Sequence, residues 1–422
     1  MKESSPRDQQ HPDRDAQPPA GPVQLVRSGS AARAGYLVTG YAEARQALGD
    51  PRLSKDTAAF FADKNSTRRL HPAVTRNMLA VDPPQHTRLR KLVTKAFTTG
   101  AVAALRPFIE QVTDALLDRW PTAGQVDVVA ELAMPLPVTV ICELLGVPAA
   151  DRADVRRWSA DMFAAGQPER IDAASHAMAA FMTDLIAAKR DRPGNALLDQ
   201  LIASRDGEDR LSEDELVALA VLLLVAGHET TTNFIGNALL ALLRPPTERP
   251  SDQLSDQLSE RPSDRPSEQF SSRPSERLSD LERLCREPDT LVPRALDELL
   301  RHGSPVSTAT FRYTKEAITL GGTEIPAGAP VLVGIGAANR DPGRFPEPDQ
   351  LDLGREDATG HLSFGHGIHR CVGAPLARAE AEIALRKVLT RFPGLRLAVP
   401  PEQLVRRPTR LVHGLTTLPV LT

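Results

Sequence analysis

The sequence predicts a mainly α-helical fold with a small β-rich region. Two observations carry this. Apolar residues dominate one long helical stretch, Leu216 to Leu243, and helical patterns recur through much of the chain before it. Strand-like runs broken by Gly-Gly and Pro-Ala-Gly turns occupy Ile318 to Gly336.

Composition narrows the function classes. The chain has 422 residues, a length that alone would suggest roughly two or three domains. A net charge of −3 gives no basic footprint for nucleic acid. The 3 cysteines, Cys142, Cys285 and Cys371, are far apart and match no zinc or disulfide spacing, as expected in a reducing cytoplasm. The N-terminus lacks an apolar signal region. The longest apolar run, Val217 to Ala226, falls short of the roughly 20 residues that span a bilayer. The expectation is a cytoplasmic protein without a membrane anchor.

In chain order, residues 1–22 are polar and proline-rich and read as a disordered tail. Tyr36 to Thr39 reads as a strand, and Ala42 to Leu48 as a helix stopped near Asp50-Pro51. Thr57 to Val81 has no clear period. Asp82-Pro83-Pro84-Gln85 predicts a helix start, with Asp82 as cap, Pro83 in the first turn and Gln85 reaching back. His86 and Arg90, four apart, share a face of that helix. Because Arg88 and Lys91 lie there too, a solvated basic face is the bland alternative.

Helical patterns follow at Val102 to Trp120, Pro137 to Leu145, Ala150 to Phe163, Pro168 to Lys189 and Ala196 to Ser204, with a break at Gly166-Gln167-Pro168. The long helix opens on a capping box, Ser212 with Glu215. Its middle, Ala226-Gly227-His228-Glu229-Thr230-Thr231-Thr232, breaks two local rules. Glycine costs about 1 kcal/mol inside a helix, and a buried carboxylate costs more unless it is paired. Such violations mark functional sites, unless the helix merely surfaces there.

From Ser251 a serine recurs every fourth residue to Ser279, but Pro262, Pro266 and Pro274 forbid a continuous helix. Residues 247–280 therefore read as a low-complexity surface insertion, which loop-closure entropy tolerates. Glu298 and Arg301 share a helix face, and Arg410 to Val420 reads as a last hairpin. The run Phe364-Gly365-His366-Gly367-Ile368-His369-Arg370-Cys371-Val372-Gly373 reads as a glycine-rich loop presenting one sulfur just before a helix that starts near Pro375. The amides and dipole of that helix end should lower the Cys371 pKa.

F-G-x-G-x-H-x-C-x-G over Phe364 to Gly373, A-G-x-E-T-T over Ala226 to Thr231, E-x-x-R over Glu298 to Arg301 and D-P-P-x-H-T-R-L-R from Asp82 together resemble the cytochrome P450 family. The style is that of its soluble bacterial class, and most of all of oxygenases that tailor macrolides and other polyketides. The resemblance covers roughly Gly35 to the C-terminus except the serine repeat. It implies a single P450 domain over residues 23–422, with haem b between the long helix and the cysteine loop.

On that resemblance Cys371 is the proximal iron ligand, a thiolate that favours O–O cleavage, and Phe364, Gly365 and Gly373 shape its loop. His86, Arg90, Arg312 and His369 hold the haem propionates, as cations suit carboxylates. Ala226 and Gly227 belong to the cofactor-binding set, and the gap at Gly227 leaves room for dioxygen. Thr230 hydrogen-bonds the oxygen being activated, and Glu229 belongs to the proton relay. Glu298, Arg301 and Arg355 form a structural triad behind the haem. Leu223, Ala226, Ala309 and Leu415 line a pocket for a bulky apolar small molecule, covered by Thr57 to Val81 and a lid at Met162 to Ala179.

The implied reaction is monooxygenation, by hydroxylation or epoxidation, in antibiotic biosynthesis. Electrons would come from NAD(P)H through a ferredoxin reductase and a ferredoxin docking near Arg88, Lys91 and Arg370. The rivals are a peroxide-driven haem-thiolate peroxygenase, which the Glu229–Thr230 relay argues against, and a non-catalytic haem-binding scaffold.

Overall fold

The computed structural model describes residues 21–28, 33–62, 69–164, 167–203, 211–244, 279–407, 409 and 411–422. Nearly all of the predicted tail, the centre of the predicted pocket cover, Gly166 of the predicted break and nearly all of the serine repeat lie outside these residues.

The long apolar pattern forms one helix, Glu213–Leu243. Its first turn is closed by the capping box: the Ser212 hydroxyl accepts from the Glu215 amide at 3.1 Å, and the Glu215 carboxylate accepts from the Ser212 amide at 3.0 Å. The helix is apolar on nearly every side because helices surround it: Pro135–Leu145, Pro168–Asp191, Pro288–His302 and Ala374–Arg391 all pack against it. Leu224 and Leu239 have no exposure, so truncating either to alanine costs about 2–5 kcal/mol. By length and composition this helix could cross a membrane, but 72% of its most apolar window is buried inside the fold. It is the core helix of the large hydrophobic cluster.

A second, smaller core lies under the β-rich region and includes Val38, Leu48, Ile318, Val331 and Val333. Its five-stranded sheet runs in the order Val23–Ser28, Arg33–Val38, Pro330–Val333, Arg312–Thr314, Leu53–Ser54. Only the pairing of Arg33–Val38 with Pro330–Val333 is parallel. The edge strand Val23–Ser28 escaped sequence reading: Leu25 is 59% exposed, so it carries no clean buried face. A three-stranded sheet joins Gln125–Asp127, Pro419–Leu421 and Arg396–Leu397.

The predicted start at Asp82 needs correction. The helix runs Gln85–Thr94 with no side-chain cap. Asp82 instead accepts from the Ser54 hydroxyl at 2.6 Å and the Lys55 amide at 3.0 Å, tying this segment to the sheet edge. Gln85 donates across to Glu215 at 3.2 Å rather than reaching back.

Candidate active site

The cysteine loop is built by its own backbone. The Cys371 amide donates to the Phe364 carbonyl at 2.8 Å, and the Gly365 amide to the Leu362 carbonyl at 2.7 Å. Gly367 is required twice over. Its φ is +72°, and a Cβ there would sit 2.7 Å from the Leu48 carbonyl oxygen. The loop ends where the helix Ala374–Arg391 begins, with Pro375 in its first turn. Cys371 lines a cavity, and its accessible surface opens onto it.

The expected lowering of the Cys371 pKa is not found. Burial pushes the thiol up and outweighs the Gly373 and Ala374 amides and the Arg90 and Arg370 guanidiniums, which pull the other way. The helix end does aim amides at the sulfur, but enclosure outweighs them.

The opposite wall is the middle of the central helix. Leu223, Ala226, Gly227 and Thr230 line the same cavity, with Ala309 beside them. Gly227 has a packing reason invisible in sequence: a Cβ there would lie 2.8 Å from Ile141 of Pro135–Leu145. The Thr230 hydroxyl donates to the Ala226 carbonyl, one turn back, over a long 3.3 Å.

Glu229 does not line the cavity. It is 5% exposed and accepts from the Arg407 guanidinium at 2.6 Å. The helix does not surface here; the buried carboxylate is paired instead. Arg407 is positioned by a hairpin-like segment. Its amide donates to the Gly414 carbonyl at 3.0 Å, and Asn237 of the central helix donates to the His413 carbonyl at 2.8 Å. Leu415, on that segment, packs into the main hydrophobic core and is not among the cavity-lining residues.

The third wall is cationic. Arg90, Arg312 and His369 line it, and His86 stands behind, its ring 4.1 Å from that of His369. Both ring nitrogens of His86 and the Nδ1 of His369 are buried without a hydrogen-bond partner among the described residues. Burial, with Lys55, His86, Arg312 and Arg90 adding repulsion, holds His369 down to about 2. Burial and the nearby Arg90 and Lys55 lower His86 as well. Burial alone draws Arg312 down to about 10. Arg90 also donates to the Arg370 carbonyl at 2.6 Å, binding its helix to the cysteine loop. Of the expected docking cations, Arg88 is ion-paired with Glu215.

Behind the loop, Arg301 grips Glu298 at 2.7 and 2.8 Å, and Arg355 approaches the same carboxylate at 3.2 Å. Arg301 further donates to the carbonyls of Asn339, Pro348 and Gln350, and it has no exposure.

The family model described as Cytochrome P450 matches residues 138–251 and 271–419. Cytochrome P450 107B1 of Saccharopolyspora erythraea is 46% identical over 406 residues, 94% of this chain and 92% of that protein. Mycinamicin IV hydroxylase/epoxidase of Micromonospora griseorubida is 39% identical over 404 residues, 95% and 92% of the two chains. The solved structure of the tirandamycin C-bound P450 monooxygenase TamI superposes with a TM-score of 0.81 at 42% identity, covering 95% of this chain and 94% of that one.

Proposed function

Because the chain belongs to the cytochrome P450 family, as a monooxygenase, we propose that it hydroxylates or epoxidises a bulky apolar natural product of macrolide or polyketide type. The substrate class is supported by the names of similar proteins, one a mycinamicin hydroxylase/epoxidase, and by apolar walls at Leu222, Leu223, Ala226, Val306 and Ala309.

Haem is the family's cofactor, and the residues here fit it. A thiol opens onto the cavity, guanidiniums line its side, and buried imidazole nitrogens there lack partners among the described residues. An iron porphyrin with two carboxylates offers what each group wants. Cys371 would hold the iron, and His86, Arg90, Arg312 and His369 the carboxylates. When bound, haem supplies the iron that activates dioxygen, so that one oxygen atom enters the substrate and the other leaves as water.

The chain's own part is positioning and proton supply. Thr230 presents a hydroxyl to the cavity, held only by a long bond it can exchange. Glu229 lies next to it in sequence but outside the cavity, bound to Arg407. In this reading Glu229 carries protons inward, and the Arg407 contact holds it between turnovers. Electrons come from NAD(P)H through a reductase and a ferredoxin. Ile368 (52% exposed) and Arg370, both on the surface beside the cysteine loop, would contribute to the docking face.

One observation carries the reading: Cys371, the Ala226–Thr230 turn and the cationic wall bound a single cavity. The test is a panel of macrolides and smaller apolar compounds titrated into haem-loaded protein. A spin-state shift, followed by an oxygenated product with NADPH, ferredoxin and reductase, is expected for the macrolides. Shifts and turnover confined to small ligands would contradict the substrate class.

A further inference from the structure

Lys55 is a charge that its burial makes unexpected. It follows the strand Leu53–Ser54, which pairs with Arg312–Thr314 so that Leu53 faces Thr314 and Ser54 faces Tyr313. One step further along that register, Lys55 comes opposite Arg312, and like charges placed across a sheet repel. Lys55 is only 2% exposed, and it lines the same cavity as Arg90, Arg312 and His369.

Among the described residues Asp82 is the acid whose charge acts on Lys55, and its pull is outweighed by burial and by Arg312. The Lys55 ammonium donates to the Thr310 hydroxyl. Among the described residues no carboxylate lies within ion-pair range of its Nζ. The Asp82 carboxylate is itself engaged by the Ser54 hydroxyl and by the backbone amide of Lys55. Burial and the charge of Arg312 push the lysine well below its ordinary pKa. An ammonium enclosed beside another cation and with no carboxylate paired to it is a costly arrangement in a protein interior. The cost is relieved if an anion enters the cavity.

We propose that Lys55 is a further cofactor-binding residue, whose ammonium pairs with a carboxylate of the haem alongside Arg90 and Arg312. This rests on the reading of the cavity as a haem site. A carboxylate carried by the substrate has the same chemistry, and the test separates the two sources.

The full chain, reconstituted with haem or with haem dimethyl ester, is compared as wild type, Lys55→Met and Lys55→Arg. The readouts are the rate of haem transfer to excess apomyoglobin and the midpoint potential, both without substrate. Lys55→Met should lose ordinary haem about tenfold faster, the order expected for one hydrogen bond to a charged group. Its midpoint should fall, because a cation that favours the reduced iron is gone. Lys55→Arg should stay near wild type. With the esterified haem, wild type and Lys55→Met should lose it at equal rates. Equal loss of ordinary haem would overturn the proposal and leave Lys55 to a substrate carboxylate. A difference that survives esterification would also overturn it, as a packing effect. If Lys55→Met does not accumulate, Lys55→Gln carries the same comparisons. Failure of the unaltered chain to take up haem would overturn the haem reading itself.

Discussion

Two buried charge clusters lie on either side of the cysteine loop, and they are built on opposite principles. In the Glu298–Arg301–Arg355 cluster both guanidiniums meet one carboxylate within the protein, and the leftover donors of Arg301 reach backbone carbonyls. In the Lys55–Arg90–Arg312 cluster the cations face a cavity, and ring nitrogens of His86 and His369 beside them have no hydrogen-bond partner among the described residues. Both are buried and rich in arginine. A closed cluster serves the fold, whereas an open one is shaped for something that comes from outside.

The comparison breaks most sharply at Glu298. Glu298→Gln strips the charge that balances Arg301 and Arg355, and it should cost about 3–5 kcal/mol. Urea unfolding of the purified protein would show it, and a loss under 1 kcal/mol would erase the distinction between the clusters. The opposite sign is expected in the open cluster. Arg312→Leu should leave haem-free protein as stable as wild type, or up to about 2 kcal/mol more so, because a buried uncompensated cation is gone. Haem retention should fall in the same variant. Destabilised haem-free protein would place Arg312 with the structural charges.

Arg407 lies between the two cases. It closes the charge of Glu229, but from a segment far away in the chain. Arg407→Leu should cost about 1–3 kcal/mol, the penalty for leaving one buried acceptor unpaired. It should also alter the fraction of consumed NADPH that ends in product. Unchanged coupling would remove Arg407 from the proton pathway while leaving its structural role.

How much of this was legible in the sequence follows the same division. Features set by neighbours in the chain could be read. The capping box of Ser212 and Glu215 formed as expected, the cysteine loop does precede a helix, and Glu298 does pair with Arg301. Features set by distant partners could not. Gly227 packs on Ile141, Glu229 on Arg407 and Asp82 on Ser54, and no local pattern announces those contacts. The pKa of Cys371 misled for a related reason: its amide environment is local, but its enclosure is a property of the whole fold. Leu415 was misplaced because the register of the final hairpin is fixed by contacts with the central helix. Lys55 carried no motif. Only its depth beside Arg312 marks it.

The smallest expected effect concerns pH. His302, next to the closed cluster, is held down to about 4, chiefly by burial and then by the nearby Arg340. A histidine whose folded pKa lies below its unfolded value favours folding fully above pH ~6.5, and this contribution fades as pH falls toward 4. Stability should therefore drop between pH 6.5 and 5, with His302 accounting for about 1 kcal/mol. His302→Gln should flatten that part of the urea-denaturation profile, and an unchanged slope would assign it to other groups.

The central claim is that one sulfur, Cys371, is the protein's hold on iron. Purified haem-loaded protein, reduced and exposed to carbon monoxide, should show the far-red-shifted Soret band that a thiolate ligand gives, and Cys371→Ser should abolish that band while leaving the fold intact. Intact wild-type protein that never shows the band, or a serine variant that keeps it, would contradict the account.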